Sequence, residues 1–235
     1  MIPAVRKLLP ALLAWLLLFP PGSAQPDPAV AGSARRDGYV ARLEAALLLQ
    51  TLNADLLSHD SATRTLERWC SAHRLASPAR IVAERVAGAE KPLTVDQRLE
   101  LRVTPLDEVR YRRVRLVCGT VLLSEADNWY TPARLTPEMN KTLDTTDTPF
   151  GVAVQSLHFQ RHTISAEVLW QLLPAGWEME PPTRTTDASD LCFPAHVLRH
   201  RALLTLPDGT PFSEVVETYS SDILAIPRLG LRHPC

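Results

Sequence analysis

The chain has 235 residues, of which 46% are hydrophobic and 22% charged. That is the composition of one globular domain with a buried core, and it excludes disordered and fibrous classes. The formal net charge of −1 provides no basic field for a nucleic-acid partner. Lysine occurs only at Lys7, Lys91 and Lys141. With abundant Ala, Leu and Pro, this arginine bias reads as a GC-rich bacterial gene.

The first 24 residues have the layout of a secretory signal peptide. Arg6 and Lys7 form a basic start, Leu8–Phe19 an apolar run, and Gly22-Ser23-Ala24 a small-residue cleavage site. The run is shorter than a membrane span requires. Cleavage after Ala24 takes the formal charge to −3 and places the mature chain in the periplasm or outside the cell, with no membrane span. Residues 25–38, rich in Pro, Ala, Gly and Ser, read as a mobile leader, and 39–235 as one domain. The four cysteines, Cys70, Cys118, Cys192 and Cys235, then lie in an oxidising space, where three pairings are possible. Cys192 and Cys235 are the preferred pair, because both lie in poorly anchored segments. Cys118, in an apolar strand, reads as a buried thiol.

Helical periodicity marks Tyr39–Leu57. Asp60-Ser61-Ala62-Thr63 caps a second helix over Thr63–His73. Strand patterns follow at Ala79–Ala87, Leu99–Val103, Tyr111–Cys118 and Thr120–Ser124, and Pro132 stops the sheet. Thr136-Pro137-Glu138 opens a short helix to Leu143. Phe150–Phe159 and Thr163–Leu169 read as extended, and Trp177–Pro194 as an irregular insert. Val197–Leu206 and Phe212–Tyr219 form a hairpin about Pro207-Asp208-Gly209. Helices first and antiparallel strands afterwards imply an α+β fold, a single antiparallel sheet covered by helices.

Common catalytic signatures are absent: no G-x-S-x-G, Walker A, G-x-G-x-x-G or H-E-x-x-H. Cys192, His196 and His200 sketch a zinc site that Pro194 interrupts, and neither metal nor organic cofactor is expected. Asn140-Lys141-Thr142 fits a glycosylation sequon of no consequence in a bacterium. Two strands carry the stronger signal. Alternation puts Arg112 on one face with Val114, Leu116 and Cys118, where an arginine is costly without an anion. It also puts Glu217 beside Val215 and Tyr219. Facing one cavity, the two could grip a small acid that bears a hydroxyl at its other end, or they could simply pair with each other.

Several segments, in order from about Ala45 to Leu224, resemble the chorismate lyase family. Leu56–Arg64 resembles its Asp-Ser-x-Thr segment, and Arg112–Cys118 resembles the strand that starts with its substrate-binding arginine. Thr148-Pro149-Phe150-Gly151 resembles its T-P-L-G turn. Gly209-Thr210-Pro211 with Glu217-Thr218-Tyr219 resembles the strand bearing its active-site glutamate. The resemblance implies a chorismate lyase-like sheet and substrate contacts at Arg112, or at Arg113 if Cys118 sets the register. It implies a catalytic carboxylate at Glu217, with Glu214 as the alternative, and pocket walls at Phe150 and Ala62. The implied activity is carbon–oxygen lysis, the elimination of pyruvate from chorismate or a related enolpyruvyl acid to give a hydroxybenzoate, without a cofactor. The export signal, the insert at 177–194 and Asp127–Tyr130 depart from the family pattern. A non-catalytic module for a small aromatic acid is the other reading, since a similar fold serves as a ligand-sensing domain in bacterial regulators. No DNA-binding segment is expected.

Overall fold

A computed structural model describes residues 37–88, 90–180 and 191–226. Residues 1–24, read from the sequence as a signal peptide, most of the segment read as a leader, and Cys235 lie outside the described residues. The elements are α1 (Tyr39–Leu57), α2 (Ala62–His73), β1 (Ile81–Arg85), α3 (Val95–Leu101), β2 (Arg110–Cys118), β3 (Val121–Tyr130), α4 (Pro137–Thr145), α5 (Phe150–Ala153), β4 (Gln160–Val168), β5 (His196–Thr205) and β6 (Pro211–Ser220). The six strands form one sheet, ordered β1-β2-β3-β6-β5-β4, with every pairing antiparallel. This is the α+β architecture implied by the order of helical and strand patterns.

Helices α1 and α2 cover one face of the sheet. In α1, Ala41, Ala45, Leu49, Leu52 and Leu56 are buried, a spacing of three and four residues that forms one stripe. Leu66 and Trp69 of α2 join them over Val114, Leu116, Ala126, Leu198 and Val215. The Trp69 indole donates to the Ile223 carbonyl at 3.0 Å, so the ring can be buried without leaving its N–H unmet. A second cluster, with Tyr130, Leu143, Phe159 and Phe212, fills the space under α4 and α5.

The β5–β6 hairpin turns at Asp208-Gly209. Gly209 sits at φ 82°, and the Asp208 carboxylate accepts from Thr210 N at 2.8 Å. Two stretches differ from the strand patterns. Leu99–Val103 is the end of helix α3 and the turn after it. Thr94 and Gln97 form a capping box whose side chains satisfy each other's backbone N–H, and this local chemistry outweighs a five-residue apolar run. Phe150–Phe159 is mostly helical turn, not strand: Pro149 opens α5, and a 3₁₀ turn follows at Gln155–Leu157.

Cys118 is not a thiol. It forms a disulfide with Cys70, which joins α2 to the end of β2 across 48 residues of sequence. The strand's apolar setting concealed a partner that comes from the helix packed above it. Cys192 and Cys235 are the remaining two cysteines, and the Cys192–Cys235 pair lies outside the described residues through Cys235. Replacing both Cys70 and Cys118 by alanine should cost about 4 kcal/mol, the loop-closure value for a bridge of this span. Urea unfolding at neutral pH measures it, and an unchanged midpoint would show that the bond constrains nothing.

Candidate functional site

Strand alternation decides which charged side chains enter the helix-covered side. Arg112, Val114 and Leu116 of β2 point there, and Arg113 and Arg115 point away. Arg113 lies 3.6 Å from Glu125 and 4.0 Å from Asp127 on the opposite face, so it is not the arginine of the cavity. The same rule separates the glutamates of β6. Glu217 faces the helices. Glu214 faces away and is fully buried, accepting from Arg201 Nε at 2.7 Å and from Gln97 Nε2 at 3.1 Å. Glu214 is therefore not the cavity carboxylate.

Between the sheet and the first turn of α2 lies a cavity of about 40 Å³. Arg112, Glu217, Phe150 and Ala62 all line it. Arg112 and Glu217 are not on neighbouring strands: β3 runs between β2 and β6 and contributes Ala126 and Asn128 to the lining. Val114, Leu116, Val215, Leu204 and Phe159 add apolar wall, and Asp60, Ser61, Thr63 and Arg161 add polar lining. At ~10–15 Å³ per water, the space holds about three water molecules.

Gly151 explains how α5 comes so close. A Cβ there would lie 3.2 Å from Ser61 Oγ and 3.5 Å from Thr63 Oγ1. Phe150 precedes it, with its ring centroid 5.4 Å from that of Tyr130 and 6.3 Å from that of Phe212. Opposite, the N-terminus of α2 presents Ser61, whose side chain caps the helix by accepting from Arg64 N.

The two cavity arginines have different electrostatic surroundings. Arg161 of β4 reaches over β5, and its guanidinium donates to Glu217 Oε2 at 2.6 Å; the two side chains are only 4% and 8% exposed. Burial works against the charge of Arg161, but Glu217 more than restores it and holds its pKa above the ordinary arginine value. Tyr219 donates its hydroxyl to the same oxygen at 3.0 Å, and burial raises that phenol well above its usual range. Glu217 Oε1 has no hydrogen bond among the described residues and belongs to a side chain that lines the cavity.

Arg112 is 7% exposed and has no carboxylate partner among the described residues. One terminal nitrogen donates to the Thr148 carbonyl at 3.1 Å, and its buried Nε has no partner. Burial pulls its pKa below the ordinary arginine value. Asn128 beside it accepts from the Ser213 hydroxyl at 2.6 Å.

Sequence reading did not single out Arg161. In Gln160-Arg161-His162-Thr163 it looks like one polar residue of a solvated strand. The available signal was indirect: a glutamate on an apolar face requires a cation, and that cation need not be Arg112. The histidines sketched as zinc ligands diverge. His196 faces Glu125 at 3.4 Å, and buried His200 places Nε2 2.8 Å from Asn53 Oδ1 on α1.

No protein-family model matches this sequence. The chain is 53% identical over 189 residues, 80% of each chain, to the uncharacterized protein y4mC of Sinorhizobium fredii. It belongs to the same family as y4mC. Among solved structures, it is similar to the effector domain of PhnF from Mycobacterium smegmatis, at 13% identity and a TM-score of 0.44, covering 69% of this chain and 90% of that one. It is also similar to the ligand-binding domain of a candidate GntR-family transcriptional regulator from Bordetella bronchiseptica, at 12% identity and a TM-score of 0.39, covering 61% and 84%. The fold is an α+β arrangement, one antiparallel six-stranded sheet with helices.

The lyase activity implied by the resemblance is corrected here. The two similar structures named above are a regulator's ligand-binding domain and an effector domain. Glu217, the residue expected to act as the catalytic carboxylate, is already held by Arg161 and Tyr219.

Burial lowers the His200 pKa from 6.5 to about 4. The unfolded chain takes up this proton near pH 6.5, and the folded one only near pH 4. Stability should therefore fall as pH drops through that window, and His200→Gln should lessen the fall. Urea midpoints at pH 7 and pH 5 test this; equal losses in both proteins would remove His200 as the cause.

Proposed function

We propose that this chain is a non-catalytic binding domain for a small aromatic acid. The carrying observation is Arg112, a buried guanidinium in an apolar cavity, with an unpartnered Nε and no carboxylate partner among the described residues. An unpaired buried cation is unfavourable, and a ligand carboxylate supplies the missing charge through a two-pronged contact. Phe150, Phe159, Val114, Leu116 and Val215 suit a flat apolar body. Ala62 lets that body approach the first turn of α2. Glu217 Oε1 is an acceptor for a hydroxyl at the far end of the ring. Glu217 then acts on the ligand as a hydrogen-bond acceptor, its other oxygen held by Arg161 and Tyr219.

Arg112→Ala should weaken benzoate binding by at least tenfold in calorimetric titration, and Arg112→Lys should not restore it, since an ammonium cannot reproduce the planar fork. Glu217→Gln should reduce 4-hydroxybenzoate affinity more than benzoate affinity. Equal benzoate affinity in wild type and Arg112→Ala would refute the reading.

We also propose that the protein works outside the cytoplasm after losing Met1–Ala24. The sequence layout of the N-terminus supports this, as does the Cys70–Cys118 disulfide, a bond that persists in oxidising compartments. N-terminal sequencing of the native protein should begin at Gln25; a chain that begins at Met1 would overturn the proposal.

A further inference from the structure

Arg112 lines more than the cavity. It also forms part of an adjoining open groove of about 630 Å³, together with Arg85, Arg110, Arg113, Asp144 and Asp147. Most of these charges are committed. Arg110 pairs with Glu108 at 2.8 Å and with Asp144 at 3.1 Å, and Arg113 faces Glu125. Arg85 has no carboxylate within 4.0 Å among the described residues, the same situation as Arg112. Its guanidinium donates only to the backbone carbonyl of Asp144.

The register brings these two arginines together. Arg85 of β1 pairs with Val114 of β2, and Arg112 lies two residues along on the same face. Diagonal neighbours of this kind have Cβ atoms roughly 7–8 Å apart, within reach of each other for two arginine side chains. The proximity registers electrostatically: burial disfavours charge on Arg112 and Arg85 adds to that, while Tyr130, Asp147 and Asp144 act in the other direction. Inside the cavity, Glu217 neutralises Arg161. The mouth is left with two guanidinium charges that no ion pair with a described side chain offsets.

We propose that Arg85 and Arg112 form a two-arginine clamp for a ligand with two adjacent carboxylates, one on Arg112 at the cavity mouth and the other on Arg85 in the groove. This rests on the small-acid reading above and narrows it from a monocarboxylic acid to a vicinal dicarboxylic one. The cavity is small and mostly apolar, and it accepts the ring. The groove is wet and roomy, and it accepts the second charge. Asp144 and Asp147 border the groove but leave Arg85 without a carboxylate contact, so they shape the subsite without filling it.

The test compares three probes on the full mature chain by calorimetric titration at low salt: benzoate, phthalate and terephthalate. Phthalate carries its carboxylates on neighbouring ring carbons; terephthalate would aim its second one at Glu217. Phthalate should bind at least tenfold more tightly than benzoate, and terephthalate more weakly than either. Arg85→Ala should bring phthalate to the benzoate level and leave benzoate within about twofold. Arg85→Lys should keep part of the phthalate preference, and a matching melting temperature shows that each variant is folded. Phthalate binding no better than benzoate overturns the clamp alone and leaves the small-acid reading intact. So does terephthalate binding as well as phthalate, or Arg85→Ala weakening both acids equally. If none of the three acids binds the wild type, both readings fall.

Discussion

The buried ion pair between Glu217 and Arg161 sets the character of the site. A carboxylate on a central strand and a guanidinium on an edge strand, both almost fully enclosed, neutralise each other over the top of β5. Breaking such a pair strands a charge in a medium that solvates it poorly. Tyr219 and the hydrogen bond from Arg161 N to the Asp60 carboxylate at 2.9 Å tie the pair to the rest of the domain. Because Glu217 is held by Arg161, Arg112 is left as the cavity arginine without an ion-pair partner among the described residues. Had Arg112 been the partner of Glu217, the same residues would have made a closed structural bridge with nothing to offer a ligand.

The two faces of the sheet apply one chemistry to different ends. On the far side, Arg201 holds Glu214 at 2.7 Å and Glu100 at 2.6 Å, and Gln97 completes the cluster from α3. Burial, and then the nearness of Glu214, raise the pKa of Glu100. Here the carboxylates outnumber the cation and no arginine is spare. This cluster fastens α3 to the sheet, whereas the near side keeps an arginine in reserve.

Period-two alternation made much of this legible in the sequence. It put Arg112 with Val114 and Leu116 and Glu217 with Val215 and Tyr219, while Arg113 and Glu214 stayed open as alternatives until the strands were paired, and the Asp-Gly turn marked the last hairpin. The helices α1 and α2 were equally plain, since their apolar stripes and the Ser61 cap are local signals. What escaped depended on distant parts of the chain. That β3 lies between β2 and β6 is a matter of strand order, which alternation does not encode. Arg161 gains its meaning only when β4 is placed beside β5, and Cys118 only when Cys70 of α2 lies above it. Helix α3 was lost for the opposite reason: a capping box of two polar side chains was overlooked in favour of an apolar run.

The absence of a side chain at position 151 has a use in reading other sequences. A β-carbon at Gly151 would come within 3.2 Å of Ser61 Oγ, closer than such atoms ordinarily sit, and would enter from the wall formed by Phe150 and Phe159. An alanine there requires its neighbours, Ser61 Oγ first, to give by a few tenths of an ångström, and a larger residue would project into the cavity. The backbone of α5 does not demand glycine, since Gly151 is not among the positive-φ residues. Any pressure to keep it would therefore come from the space beside it. Position 151 is thus a compact marker for telling which related chains keep an open chamber and which have filled it.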